Sequence, residues 1–402
     1  MRPASVLTLI LALIFVSIPI DFVELSSVPS AISNVALVVA LALLPNLVAR
    51  PSGQRSVLLA VSSLLALNLL SSFRIGTVVT VVPVLAAGLA LSQLPKRLSV
   101  RFWVVVFFAS AISNVVEWAS GTHIFIGAFG VPFQDATPTE FRARGLFGAA
   151  VPAGVFTTVL AVLLLSQKGD ARPSRSLKSC VVVFAGGSLA ATGTRTGLLV
   201  ALVCLTIAVF RLRPTTRLSP LTPFLGIGLL VAGVAVWSGL TSTRLFSVNN
   251  VQATDSFQIR SLAPDVVRLW FERCSDPVCS VTGFGYRSLL AELQVSGLTD
   301  RFSTVDNQYV SVLWDFGLVG VGALFLTLFW TLLRCFRKSS LAAVENVSLL
   351  GLLVGLFFFD GLYFRSGLLL FAFLIGACWE SRRQHRDLAL PERKKQQWSQ
   401  SK

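Results

Sequence analysis

Residues 308–333 read QYVSVLWDFGLVGVGALFLTLFWTLL, an apolar run long enough to cross the roughly 30 Å hydrocarbon core of a bilayer at 1.5 Å of rise per residue. The pattern recurs along the chain. Further apolar runs occupy 4–20, 28–48, 56–73, 75–94, 102–119, 146–166, 179–194, 197–210, 218–240, 346–362 and 366–380. Hydrophobic residues make up 54% of the 402 positions and charged residues only 13%, about half the charged share of a soluble domain. The chain therefore reads as an all-α polytopic membrane protein of about twelve transmembrane helices, forming a single domain over 1–402. The polar stretch 241–305 reads as one large, partly helical extracytoplasmic loop, and 381–402 as a basic cytoplasmic tail. Pro19, Asp21 and Glu24 follow the first span in place of a small-residue cleavage pattern, so that span is expected to be retained.

Charge placement sets the expected orientation. With both termini cytoplasmic, 23 of the 34 basic residues fall inside but only 5 of the 19 acidic ones. Only one parity of spans produces that asymmetry, as the positive-inside rule requires. The net charge of +15 is thus read as a topological signal and a contact with anionic lipid, and nucleic acid is not expected as a partner. The expected location is a bacterial-type cytoplasmic membrane.

Three local features stand out. The turn Thr194-Arg195-Thr196 joins two runs of about 24 and 21 Å, both short of a full crossing. If their inner ends are held by Lys178 and Arg211, Arg195 lies below the outer surface in a polar cavity; snorkelling to the headgroups is the alternative. Gly186, Gly187, Gly193 and Gly197 would permit close helix packing there. Within the large loop, 264–273 reads as a short helix opened by Pro264, with Val266, Val267, Leu269 and Trp270 apolar. A second covers 286–296, with Leu289, Leu290 and Leu293 apolar, and Gly283-Phe284-Gly285 reads as a flexible turn between them. Such helices tend to lie on a bilayer and roof a cavity. Cys274 and Cys279 flank a Pro-containing turn in an oxidising exterior, which points to a disulfide, with two unrelated thiols as the alternative. No second Cys or His pair accompanies them, so no metal site is expected.

Every outward basic residue is an arginine: Arg74, Arg142, Arg144, Arg195, Arg244, Arg260, Arg268, Arg273, Arg287, Arg301 and Arg365. Guanidinium forks bind phosphate and pyrophosphate bidentately and stay charged. Asp306, at the mouth of span 308–333, is suited either to act as a base on a sugar hydroxyl or to cap the helix.

Asp306-Asn307-Gln308-Tyr309, followed by Asp315-Phe316-Gly317 and Gly320, resembles the "(His/Asp)-Asn-x-Tyr … acidic-x-Gly-x-x-Gly" signature of the O-antigen polymerase and O-antigen ligase superfamily. Asp255 to Arg260 and Gly283-Phe284-Gly285-Tyr286 are similar to that family's loop arginine and Gly-x-Gly turn. Arg142-Ala143-Arg144-Gly145-Leu146-Phe147 with Pro152 and Gly154, and Thr194-Arg195-Thr196-Gly197, resemble its two further motifs, in the same order over roughly 140–335. Ala153 departs from the asparagine usual after the proline. Asp306 stands where ligases of the family usually carry histidine, which favours a polymerase.

The resemblance implies a glycosyltransferase that joins undecaprenyl-pyrophosphate-linked oligosaccharide units on the outer face of the membrane. No metal or cofactor is expected, because no Asp-x-Asp pair faces outward and arginine can supply the positive charge. Arg195 and Arg260 are expected to hold the diphosphate and Asp306 to accept or orient the acceptor hydroxyl. Arg142, Arg144, Arg244, Asn307 and Tyr309 are the further candidates for substrate contact. Membrane lipids and a chain-length regulator are the other partners considered. Three rival readings stand beside this one. The first is a ligase acting on lipid A core or another acceptor. The second is an enzyme using polyprenyl-phosphate monosaccharides through Asp21 or Glu24. The third is a transporter or flippase of lipid-linked sugar.

Overall fold

The computed structural model describes residues 75–124, 141–167, 172–212, 261–286, 288–295, 305–336, 343–364 and 366–379. The runs at 4–20, 28–48, 56–73 and 218–240 lie outside the described residues, as do Arg244, Arg260 and the tail. The described residues are helical, with no strand among them. In chain order they form α1 (Ile75–Ser92), α2 (Lys96–Ser120), a 3-10 turn (Gly145–Phe147), α3 (Ala150–Leu165), α4 (Arg175–Thr192) and α5 (Arg195–Leu212). After these come α6 (Ala263–Arg273), α7 (Pro277–Thr282), α8 (Ser288–Val295), α9 (Gln308–Phe336), α10 (Ala343–Gly355) and α11 (Ser366–Trp379).

Helix α3 is the axis of the bundle, with α2, α4, α5 and α10 packed around it. Its burial suits that place: every residue from Pro152 to Ala161 is buried, as are Leu163 and Leu164, so all sides of the helix are covered, the pattern of a core helix rather than an amphipathic one. Helices α2 and α9 are both long and apolar enough to cross a bilayer. Each also carries an exposed apolar stripe at helical spacing, Val105, Ile112 and Val116 on α2 and Leu318, Phe325, Leu326, Phe329 and Leu333 on α9. Apolar surface on that scale is unusual for a protein facing water on all sides.

Two expectations from the sequence are corrected. The runs 179–194 and 197–210 are in fact α4 and α5, each 18 residues and so about 27 Å long. Arg175, Lys178 and Arg211 lie within the helices instead of ending them. Ser174 caps α4, its Oγ accepting from Leu177 N at 3.2 Å, and Gly193 ends it in the left-handed conformation at φ 59°. The run 346–362 is helical only to Gly355. Beyond it the Leu356 carbonyl accepts from Gln308 N at 2.9 Å, and the chain turns through a 3-10 segment at Gly361–Tyr363.

The third correction concerns Gly283-Phe284-Gly285, which is a clamp. Helix α9 breaks at Gly317 (φ 63°, ψ −159°), which removes the helical donors that Trp314 O and Asp315 O would otherwise receive. Phe284 N donates to Trp314 O and Gly285 N to Asp315 O, both at 2.9 Å. The loop supplies the missing donors. Around this clamp Val266, Trp270, Cys274, Leu289, Leu293, Val305 and Trp314 form a second small core, and Cys274 and Cys279 are joined in a disulfide. The expected loop helices are thus present as α6 and α8, and their apolar sides turn inward onto α9.

Candidate functional site

Two polar clusters occupy the same end of the bundle. The first is built on residues 141–145, the segment carrying Arg142 and Arg144. Glu117, fully buried in the last turn of α2, accepts from Arg144 N and Gly145 N through Oε2, both at 2.9 Å. On the opposite side Ala143 N donates to Ala191 O and Arg142 Nε to Thr192 O, both at 3.0 Å. The Arg142 side chain therefore rests on the carbonyl end of α4, where a cation complements the helix dipole. Arg195 stands one turn away, exposed at the start of α5. Between them Thr194 is buried, its Oγ1 3.1 Å from Thr192 Oγ1. A Cβ on Gly197 would come within 2.9 Å of that oxygen, and one on Gly154 would overlap it. The glycines of the Thr-Arg-Thr-Gly motif and of α3 are explained by this approach. Gly186, by contrast, faces open space.

The second cluster surrounds the start of α9. Asp306 has φ 50° and is the one non-glycine residue with positive φ among those described. Asp tolerates this region better than most residues, yet it still costs energy. Asn307 Oδ1 accepts from Tyr309 N at 3.1 Å and Val310 N at 3.4 Å, so Asn307 is the helix cap. Gln308 is fully buried and accepts from Leu362 N at 2.6 Å. Tyr309 is buried too: its hydroxyl donates to Leu353 O at 3.2 Å and its ring stacks on Phe357 at 4.0 Å. Tyr309 is thus packed between helices and Asn307 Oδ1 is engaged with backbone.

Two buried carboxylates belong to this end of the bundle. Asp315 is fully buried and caps α8, Oδ1 accepting from Ser288 N and Ser288 Oγ at 3.2 Å and Leu289 N at 3.4 Å; the Tyr363 hydroxyl donates to its Oδ2. Asp360 lies in the turn beyond α10, outside the helical spans, and is buried, with Ser311 Oγ donating to Oδ1 at 2.7 Å. The charges of Asp306 and Asp315 both act on it. Neither Asp360 nor Glu117 belongs to a motif in the sequence. A lone acid inside the apolar run Phe357-Phe358-Phe359-Asp360 was nonetheless a signal, because ionisable groups in such runs are expensive.

Only the first turns of α3 separate the clusters. Gly154 packs under Thr194, and two residues on Phe156 meets Phe359 at 5.6 Å. Among the described residues no group of three or more His, Cys, Asp and Glu side chains is placed to hold a metal ion. In comparison with known proteins, no family model and no curated protein matches the chain.

Proposed function

We propose that the protein is a polysaccharide polymerase of the O-antigen type, a twelve-span enzyme of the bacterial cytoplasmic membrane with both termini inside. Its substrates are oligosaccharides carried on undecaprenyl pyrophosphate, joined on the outer face. The observation that carries this reading is Asp306, a carboxylate held in left-handed backbone near enough to buried Asp360 for their charges to interact, across the first turns of α3 from the Arg142–Arg195 end. Strained backbone of this kind concentrates at functional sites. Exposed apolar stripes on α2 and α9 suit a lipid surrounding.

In the proposed reaction an acceptor sugar hydroxyl attacks the anomeric carbon of the donor. The new glycosidic C–O bond forms as the C–O bond to pyrophosphate breaks, configuration inverts, and undecaprenyl pyrophosphate leaves with the bonding electrons. The hydroxyl proton passes to Asp306 as general base. Arg195, Arg260, Arg142, Arg144 and Arg244 supply positive charge where charge develops on the diphosphate. Transfer of finished glycan to lipid A core would use the same groups with another acceptor; Asp306 in the place of a ligase histidine favours polymerisation.

The test is to incubate the purified full chain with lipid-linked repeat units and resolve the products. A ladder is expected from the wild type. A double variant, Arg195→Ala with Arg260→Ala, is expected to lose it. Normal polymer length and yield from that variant at wild-type expression would overturn the proposal.

A further inference from the structure

A carboxylate buried as completely as Glu117 is costly unless its contacts return the expense. Its partners are unusual for an acid at a helix end. Oε2 takes the backbone N–H groups of Arg144 and Gly145, both at 2.9 Å, and His123 Nδ1 lies 3.6 Å away. The His123 ring in turn stacks on Phe141 at 4.6 Å. Gly145 adopts φ +47°, and a Cβ there would lie 2.6 Å from Ser113 Oγ and overlap Asn114 Oδ1, so the segment is pressed onto α2. Leu146 N donates to Ser113 Oγ at 3.3 Å. With Ala143 N and Arg142 Nε bound to the end of α4, residues 141–146 are stitched between two helix ends. Ala143 is buried, while Arg142 and Arg144 each keep part of their surface exposed. A neutral acceptor could satisfy two N–H groups; a charged one also offsets the repulsion of two neighbouring guanidiniums.

We infer that Glu117 is a positioning residue for the arginine segment, holding Arg142 and Arg144 beside the Arg195 turn so that together they bind the pyrophosphate head of a polyprenyl carrier. This rests on the reading of those arginines given above. Glu117 touches no substrate and acts through the backbone of Arg144 and Gly145.

The probe is farnesyl pyrophosphate, titrated into the full chain in detergent. Glu117→Gln is expected to weaken binding about ten-fold, and to raise KM for lipid-linked repeats with kcat held within about two-fold, while the melting temperature stays near wild type. Ser110→Ala, equally buried on α2 but bonded to Thr157, serves as control and binds normally. Wild-type affinity in Glu117→Gln would overturn the inference. A lowered melting temperature with unchanged affinity would do the same, because it marks a purely structural role. If Glu117→Gln does not fold, Glu117→Asp keeps the charge one methylene short, and wild-type binding by it counts against the inference equally. Arg142→Ala with Arg195→Ala separates the two levels. Normal binding by that variant defeats the functional reading itself, whereas weakened binding beside a normal Glu117→Gln defeats only the role of Glu117.

Discussion

Gly283 and Gly317 meet backbone to backbone: a Cβ on Gly283 would lie 2.6 Å from Gly317 N, and one on Gly317 would lie 2.7 Å from Gly283 N. Both have positive φ, 74° and 63°. The contact seats the loop in the break of α9 and keeps Asp315 over the start of α8. Alanine at either position adds left-handed strain of roughly 1–2 kcal/mol to overpacking of about 1–3 kcal/mol. Gly283→Ala and Gly317→Ala are therefore expected to lower the melting temperature clearly and expose the α6–α8 lobe to protease. Gly322→Ala, where the added Cβ meets nothing within 4 Å, is the comparison and should cost nothing.

Asp306 separates a backbone role from a chemical one. Asn and Gly both tolerate its φ of 50°. Asp306→Asn is expected to keep wild-type stability and Asp306→Gly to match it or gain up to about 1 kcal/mol. Both should lose polymer formation by two orders of magnitude or more, as removal of a general base does. Full activity in the glycine variant, read as the product ladder, would reduce Asp306 to a turn residue.

The two long apolar helices were legible because hydropathy over 102–119 and 308–333 needs no tertiary information. So were α6 and α8, whose Pro264 and leucine spacing are local signals. What the sequence did not reveal were the contacts made at a distance. Nothing near Gly283 says that its neighbours' N–H groups will replace helical donors at Trp314 and Asp315, so the turn read as flexible. Arg175, Lys178 and Arg211 read as helix ends because charge and span end usually coincide, whereas a long side chain can sit within a helix and still reach polar surroundings. In the motif Asp306-Asn307-Gln308-Tyr309 residue type alone could not separate cap, packing and chemistry. The hydrogen bonds of Asn307, Gln308 and Tyr309 give each of the three a structural partner.

Tyr309 offers the complementary test, because burial gives it a measurable role without chemistry. Its hydroxyl has one described acceptor, Leu353 O on α10, and its ring packs against both Phe357 and Phe325. Tyr309→Phe removes the hydrogen bond but keeps the stacking, at a cost of about 1 kcal/mol. Tyr309→Ala opens a cavity between α9 and α10 and should cost roughly 3–5 kcal/mol. Asn307→Ala, which strips the cap from α9, should cost about 1 kcal/mol, and Asn307→Asp should restore it. If Tyr309 only packs, Tyr309→Phe keeps wild-type KM and kcat for lipid-linked repeats while its melting temperature drops slightly. A raised KM at unchanged stability would instead place the hydroxyl on the sugar and return Tyr309 to the binding surface.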